Sequence, residues 1–168
     1  MFFTTHFLLL SFGLFSSLAS ANEGVDRDHA LRDASSEGRV EDVRYWIQQG
    51  AYVDSASPGG WTPLIYSADR SHSEVTDILL QANADPNLCE RDGWSPLMFA
   101  AMKGDLETCR LLIRGGADLE HVSSNEWTPL KAAQRSKNPD LGAFMEGEIA
   151  KSKELQVDNV GLGRDFLQ

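Results

Sequence analysis

The residues best suited to chemistry in this chain of 168 residues are its histidines and cysteines. A histidine can transfer protons or bind a metal ion, and a cysteine thiolate can act as a nucleophile or a metal ligand. His29, His72 and His121 lie far apart in the sequence, and none has a ligand partner at the short spacing of a metal site. We therefore predict no metal site, and we expect the imidazole of His121 to be solvated.

The two cysteines, Cys89 and Cys109, lie 20 residues apart, which is less than one period of the repeating pattern of this chain. That pattern predicts an exposed turn at Cys89 and the inward face of a helix at Cys109. A disulfide would require their Cα atoms to lie within about 7 Å of each other. We therefore favour a surface thiol and a small core residue, with a disulfide bridge as the alternative.

The sequence carries none of the common signatures of catalysis or nucleotide binding. It lacks Gly-x-Ser-x-Gly, His-Glu-x-x-His and the phosphate-binding pattern Gly-x-x-x-x-Gly-Lys-Ser/Thr. Its many aspartates and glutamates fall at turns and on outer helix faces, where solvation accounts for them. We therefore predict a protein with no catalytic activity and no cofactor. The alternative is an accessory or protective factor for a redox or haem enzyme, acting through Cys89.

The charge of the chain argues against two classes of partner. Its formal net charge is −10 at pH 7. A nucleic-acid-binding surface needs basic residues that replace the counterions of the phosphates, and anionic lipid attracts basic segments for a similar reason. We therefore expect neither nucleic acid nor a membrane surface as the partner.

The first residues have the layout of a secretory signal peptide. Residues 7–21 are apolar or small, and they end in Ala19-Ser20-Ala21, a small-x-small cleavage pattern. The apolar run is short for a transmembrane helix. We predict a cleaved signal peptide at residues 1–21 and an exported protein, either secreted, periplasmic or in the lumen of the secretory pathway. An uncleaved membrane anchor is the alternative.

The elements that position these residues follow from an internal repeat. Trp61-Thr62-Pro63-Leu64 recurs as Trp94-Ser95-Pro96-Leu97 and again as Trp127-Thr128-Pro129-Leu130, with a spacing of 33 residues both times. A period in this range indicates a stack of small units rather than a single globular core. Such a stack offers an elongated binding surface instead of a deep catalytic pocket.

Residues 93–120 show how one unit is expected to fold. Ser95 is a good helix N-cap and Pro96 suits the first helical position, so a short first helix is predicted to begin there. A second, more apolar helix follows and stops at Gly115-Gly116, because glycine adopts the left-handed conformation after a helix without penalty. A shift of 33 residues reproduces these turns, caps and apolar positions in the other units.

The units resemble ankyrin repeats. The family pattern Gly-x-Thr-Pro-Leu-His-x-Ala-Ala, followed by Gly-His and by Leu-Leu-Leu-x-x-Gly-Ala-Asp, is matched by Gly60 to Asp85 and by Gly93 to Asp118. The resemblance implies an all-α ankyrin-repeat solenoid of stacked helix-turn-helix units with short β-hairpin-like fingers. It divides the chain after the signal peptide into a short linker at 22–27, a repeat domain at 28–156 with units of about 28–59, 60–92, 93–125 and 126–156, and a C-terminal tail at 157–168.

The sequence departs from the family pattern at several places. The family histidine after Thr-Pro-Leu, whose imidazole links neighbouring hairpins, is replaced by Ile65, Met98 and Lys131. Glu126 replaces the turn glycine of the last unit, and Ser71 stands where other units have a glycine that ends the first helix. The last helix is expected to run through about Leu155.

The resemblance also implies where a partner binds. Members of the family use the finger tips and the exposed faces of the first helices, which line a concave groove. Transferred by position, the residues predicted to contact a partner are Trp61, Tyr66, Arg70, Arg91, Trp94, Phe99, Met102, Lys103, Trp127 and Arg135. The resemblance therefore implies that another protein is the partner. We expect a monomer whose groove holds an acidic or extended segment of that protein.

Two stripes stand out among these residues. Trp61, Trp94 and Trp127 are predicted to lie one above another at the finger bases, and Arg70, Lys103 and Arg135 at the ends of the first helices. Tryptophan and arginine are the residues that most often anchor interfaces. The alternative is that the aromatic rings only cover the fingers and helices, and that the charges are only solvated.

Overall fold

The computed structural model describes residues 26–162, with side chains described for residues 26–155. The predicted signal peptide, residues 22–25 of the predicted linker and residues 163–168 of the predicted tail lie outside the described residues. None of the helices within the described range is long and apolar enough to cross a membrane.

Eight helices make up the regular structure of residues 26–162, and they pair into four helical hairpins. The pairs are α1 (Arg27–Glu37) with α2 (Val40–Gln48), α3 (Pro63–Asp69) with α4 (Ser73–Gln81), α5 (Pro96–Lys103) with α6 (Leu106–Arg114), and α7 (Pro129–Arg135) with α8 (Pro139–Leu162). No strand is present in this part of the chain. The predicted all-α stack of helix-turn-helix units is confirmed.

The first helices of the inner and last units begin at the predicted caps. Thr62, Ser95 and Thr128 have extended backbones, and each hydroxyl accepts a hydrogen bond from the backbone N–H three residues later, over 3.2 to 3.4 Å. A proline follows each of them at the first helical position, where its missing N–H removes no helical hydrogen bond. The repeated phrase is therefore a helix start signal used three times.

The core of the stack lies between consecutive hairpins. The first helices α1, α3, α5 and α7 pack in one row, the second helices α2, α4 and α6 pack in another, and α8 packs on α7. Alanines on the first helices are buried and allow close approach, while the large fully buried residues include Leu31, Leu64, Leu79, Leu97, Leu112, Leu141 and Met145. Each hairpin thus buries its apolar face against its neighbours.

The last helix is longer than its sequence predicts. It continues to Leu162, past the expected end near Leu155. An ion pair between the Lys153 ammonium and the Glu120 carboxylate, 2.8 Å apart, ties its second half to the preceding unit. No described unit lies beyond this helix, so its outer positions carry no apolar periodicity from which its length could be predicted.

We expect Ser71→Gly to raise the free energy of unfolding by about 1 kcal/mol. Ser71 has a φ of 59°, and this left-handed conformation costs a residue with a Cβ about 1–2 kcal/mol. The greater entropy of glycine in the unfolded chain offsets part of that gain. The reverse change at the equivalent position, Gly104→Ser, should destabilise, because φ is 78° and a Cβ there would lie 3.0 Å from the Asn138 Cβ. Urea unfolding that shifts both variants in the same direction would refute this explanation.

Candidate functional site

The predicted site is presented by three fingers, and each is a tight hairpin closed in the same way. The backbone N–H groups of Ser57, Glu90 and Ser123 donate to the carbonyl of the tryptophan four residues later, over 2.9 to 3.1 Å. The side chains of the same three residues accept a hydrogen bond from that tryptophan's N–H, over 3.0 to 3.2 Å. Two hydrogen bonds therefore fix the backbone of each of these three tryptophans, Trp61, Trp94 and Trp127, at the base of its finger.

These closing residues are not among the residues predicted from the sequence. Ser57, Glu90 and Ser123 recur at the same 33-residue spacing as the tryptophans. Their types differ because a hydroxyl and a carboxylate can both accept the same N–H. Their 33-residue spacing could have identified them in the sequence, but the change from serine to glutamate hides the repeat at this position.

Neighbouring fingers are joined by backbone hydrogen bonds. The N–H of Arg91 donates to the Gly59 carbonyl over 3.1 Å, and the N–H of Ser124 donates to the Asp92 carbonyl over 3.0 Å. The Arg91 guanidinium also donates to the Pro58 carbonyl over 3.1 Å while the side chain stays exposed. The fingers are thus linked to one another without the family histidine.

The positions of that missing histidine have different environments in different units. Ile65 and Met98 are fully buried in the second and third units. Lys131, at the equivalent position of the fourth unit, is exposed, and its ammonium donates to the Glu126 carbonyl over 2.6 Å. Apolar packing therefore takes the place of the imidazole inside the stack, and an exposed cation takes it at the end.

Five aromatic rings form a continuous row, which we call the aromatic ladder: Tyr66, Trp61, Phe99, Trp94 and Trp127. The ring centroids of successive members lie 5.1, 4.9, 5.3 and 5.5 Å apart. These distances are within the range of favourable aromatic pairs. All five side chains are half-buried. The structure therefore brings the predicted aromatic residues together on one side of the stack, with part of each ring packed and part exposed.

The predicted basic stripe is partly neutralised. The Asp69 carboxylate lies 3.0 Å from the Lys103 ammonium and 3.5 Å from the Arg70 guanidinium. Arg135 instead places its guanidinium carbon 5.8 Å from the centroid of the Trp127 ring. Met102, the remaining predicted contact residue, is half-buried and packs against the core. An acidic residue of α3 therefore lies between two of the three cations of the stripe.

The expectation that His121 is solvated was wrong. Its side chain is half-buried, with Nε2 2.8 Å from the Gly93 carbonyl oxygen and 3.4 Å from the Cys89 Sγ. Stacking of the fingers that end at Trp94 and Trp127 produces these contacts, because it brings residues 28 and 32 positions apart into one cluster. His72 has a similar position lower in the stack, with Nε2 3.2 Å from the Ser36 carbonyl oxygen. Both imidazoles link adjacent units.

Both cysteines are free thiols. Cys109 is buried in α6, and burial, followed by the nearby Asp105 carboxylate, raises the pKa of its thiol to about 12. Cys89 is half-buried, and partial burial, followed by the charges of Glu90, Asp85 and Asp118, raises the pKa of its thiol above the ordinary value. Neither thiol is activated for nucleophilic attack at neutral pH.

Thiol labelling should therefore be slow and should have an alkaline pH dependence. The ordinary pKa of a cysteine thiol is 9.0, and the pKa of the Cys89 thiol is raised above it. The rate at which Cys89 reacts with iodoacetamide should therefore still be rising above pH 9.0, because the thiolate is the reactive form. Cys109 should react only after unfolding, and the folded Cys89→Ser variant should not be labelled. A rate for Cys89 that levels off below pH 8 would be incompatible with this environment.

A shallow depression lies at the end of the aromatic ladder. Its volume is about 320 Å³, and it is lined by Asn125, Glu126, Trp127, Lys131, Gln134 and Arg135. Within the described residues, no cluster of three or more histidine, cysteine, aspartate or glutamate side chains could hold a metal ion. The site is thus an open surface of aromatic and charged side chains.

Comparison with known proteins gives the same repeat unit. A family model described as ankyrin repeats in three copies matches residues 78–145, and a single ankyrin-repeat model matches residues 59–91. The chain is 37% identical over 62 residues to the mitochondrial disaggregase of Bos taurus, which covers 37% of this chain and 9% of that protein. It is 33% identical over 64 residues to ankyrin repeat domain-containing protein 40 of Mus musculus, which covers 38% of this chain and 18% of that protein.

The extent of these matches decides what they establish. The chain spans less than a fifth of the length of either relative. The two family models together cover residues 59–145, which is more than half of the chain. The helical hairpins of that segment follow the same 33-residue period. On this basis the chain belongs to the ankyrin-repeat family.

Proposed function

We propose that this protein is a non-catalytic protein-binding module, and that it holds its partner against the aromatic ladder in the concave groove of the stack. Ankyrin repeats suggest protein interaction in general, and the ladder supports a specific surface for it. Five half-buried rings in one row are the observation that carries the proposal. Aromatic residues with an exposed edge, fixed on a rigid support, are typical anchors of interfaces.

The rigidity of the fingers adds to this argument. Each tryptophan backbone is held by two hydrogen bonds within its finger, and the fingers are joined by further backbone bonds. A surface that is already ordered loses little conformational entropy when it binds. The fingers are therefore suited to bind without rearrangement.

The shape of the surface indicates an extended partner segment. The ladder runs along the stack across three consecutive units, from Tyr66 to Trp127, so a partner that follows it contacts several units at once. Arg70, Lys103 and Arg135 flank the rings, and Asp69 neutralises part of that charge. We propose an acidic, extended segment of another protein as the partner, bound by a monomer of this chain.

We further propose that the protein works outside the cytosol after removal of residues 1–21. The apolar run and the Ala19-Ser20-Ala21 pattern support this proposal. Amino-terminal sequencing of the exported protein should begin at Asn22, and an Ala19→Arg variant should accumulate as the uncleaved precursor. Recovery of the full-length chain from the cytosol alone would refute export.

The alternative, an accessory role for a redox or haem enzyme through Cys89, has less support. The Cys89 thiol lies 3.4 Å from the Asn87 carbonyl oxygen and has a raised pKa, both of which favour the unreactive protonated form. A Cys89→Ser variant should therefore retain full function, and loss of function in that variant would favour the alternative.

Site-specific photo-crosslinking tests the binding proposal. We would place a photoreactive amino acid at Ser124, which is exposed on a finger, and at Glu107, which is exposed on the second helix of the third unit. Irradiation in the native compartment should give a crosslinked protein with the first probe and not with the second. The opposite pattern, with capture only from position 107, would overturn the proposed surface.

A further inference from the structure

We propose that the depression at the end of the aromatic ladder binds the carboxylate of an aspartate or glutamate side chain in the partner segment. This inference rests on the proposed function and adds the chemistry of one contact. It concerns the six lining residues of the fourth unit, with Lys131 and Arg135 as the groups that would bind the carboxylate.

The depression includes Lys131, whose equivalent positions in the inner units hold apolar residues. Ile65 and Met98 fill the equivalent space in the second and third units, and both are fully buried. No described unit follows the fourth, and the residue there is the exposed Lys131. A polar residue at this position suits an end of the stack, and the open volume of about 320 Å³ is lined by this residue and by the last ring of the ladder.

Within the part of the chain whose side chains are described, neither cation of the depression belongs to an ion pair. The Lys131 ammonium is held by a backbone carbonyl, that of Glu126, over 2.6 Å, and the Arg135 guanidinium lies beside the Trp127 ring. No carboxylate among residues 26–155 forms an ion pair with either of them. Arg70 and Lys103, in contrast, share the Asp69 carboxylate.

The Glu126 side chain is the one acidic group in the lining. It is exposed, and its backbone has a φ of 58°, which is unusual for a residue other than glycine. That conformation belongs to the turn that directs the Glu126 carbonyl to Lys131. With two cations and one carboxylate, the lining remains positive in a chain whose net charge is −10.

This combination fits a carboxylate better than an uncharged side chain. A guanidinium and an ammonium form short, charge-assisted hydrogen bonds to carboxylate oxygens. The Asn125 amide adds a further donor at the rim, whereas the Gln134 amide already donates to the Glu146 carboxylate over 3.4 Å. Trp127 supplies an apolar wall for the side chain that carries the carboxylate. Because the rest of the chain is acidic, a local positive site also selects where along the groove an acidic residue binds.

Titration of the ¹⁵N-labelled protein with a short acidic peptide tests the inference. The probe is the tetrapeptide acetyl-Glu-Glu-Glu-Glu-amide, and the controls are acetyl-Gln-Gln-Gln-Gln-amide and the same glutamine peptide with a free C-terminal carboxylate. We expect only the glutamate peptide to shift the Trp127 indole N–H resonance saturably. Equal shifts by the amidated glutamine peptide would overturn the inference, and equal shifts by its free-carboxylate form would assign the site to a chain terminus instead.

Matched variants separate a specific site from general electrostatics. Lys131→Gln/Arg135→Gln should weaken binding of the glutamate peptide at least tenfold. Arg44→Gln/Arg114→Gln removes the same charge from exposed positions outside the groove and should change the affinity by less than twofold. Similar losses in both variants would show that net charge, and not the depression, attracts the peptide.

Binding of the crosslinked partner to two variants, one at Trp94 and one at Lys131 and Arg135, tests the carboxylate site and the proposed function separately. A partner that is lost on substitution of Trp94 and retained in Lys131→Gln/Arg135→Gln would overturn the carboxylate site and leave the binding module intact. A partner that is retained in both variants would overturn both proposals. A partner that is lost in both variants, with the folds unchanged by circular dichroism, supports both.

Discussion

Replacement of Leu112 by alanine is expected to lower the free energy of unfolding by about 2–5 kcal/mol. Leu112 is fully buried in α6 and belongs to the continuous core that joins the hairpins. The total stability of a small domain is only about 5–15 kcal/mol. Four units are also close to the minimum number for a stack that buries its apolar faces between neighbours. The Leu112→Ala protein should therefore be at or near the point of unfolding at about 37 °C.

Leu155→Ala provides the matched control for this prediction. Leu155 lies on α8 with 67% of its surface exposed, so the same change there removes little buried area. Substitutions of this kind usually alter stability by less than about 0.5 kcal/mol. Urea unfolding followed by far-ultraviolet circular dichroism measures both variants. A Leu112→Ala protein that melts cooperatively within a few degrees of the wild type would show that the stack does not depend on this contact.

The second large effect concerns binding. We expect Trp94→Ala/Lys103→Glu to weaken binding of the crosslinked partner at least about 30-fold, since removal of a central interface tryptophan typically costs 2 kcal/mol or more. Trp94 stacks on both Phe99 and Trp127, so its loss breaks the ladder in the middle. Glutamate at position 103 would place a second carboxylate beside Asp69, which now pairs with Lys103 over 3.0 Å.

A control for the binding prediction is Tyr52→Ala/Arg114→Glu. It also removes one aromatic ring and reverses one charge, but both side chains are exposed and neither belongs to the aromatic ladder. Its affinity should stay within twofold of the wild type in the same titration. Recovery of the partner by folded Trp94→Ala/Lys103→Glu protein at wild-type levels would remove the ladder from the binding surface.

The fold could be predicted from the sequence because its signals are local. A hydroxyl followed by proline defines the start of α3, α5 and α7 through a single hydrogen bond within the first turn. Glycine or asparagine defines the ends of the second helices, and Asn83 adopts a φ of 64° where other units have glycine. Each of these signals acts within a few residues, and the 33-residue period repeats them.

The details of the site depend instead on contacts between units. The pairing of Asp69 with Lys103 joins α3 to α5, and the contact of His121 with Gly93 joins two fingers. A repeat pattern gives the positions of these residues in each unit, but it does not give the rotamers that decide which side chains meet. The alignment of Trp61, Trp94 and Trp127 within the aromatic ladder could be predicted, because identical residues at identical positions in stacked units must lie in line.

Hydrogen exchange of the protein with and without its crosslinked partner tests the central claim most directly. If the partner lies along the aromatic ladder, the amides of the three fingers and the first helices should gain protection, in particular residues 57–61, 90–94 and 123–127. The second helices α4 and α6 should exchange at unchanged rates. Protection confined to α4 and α6, with the fingers unaffected, would place the partner on the other side of the stack and contradict the account.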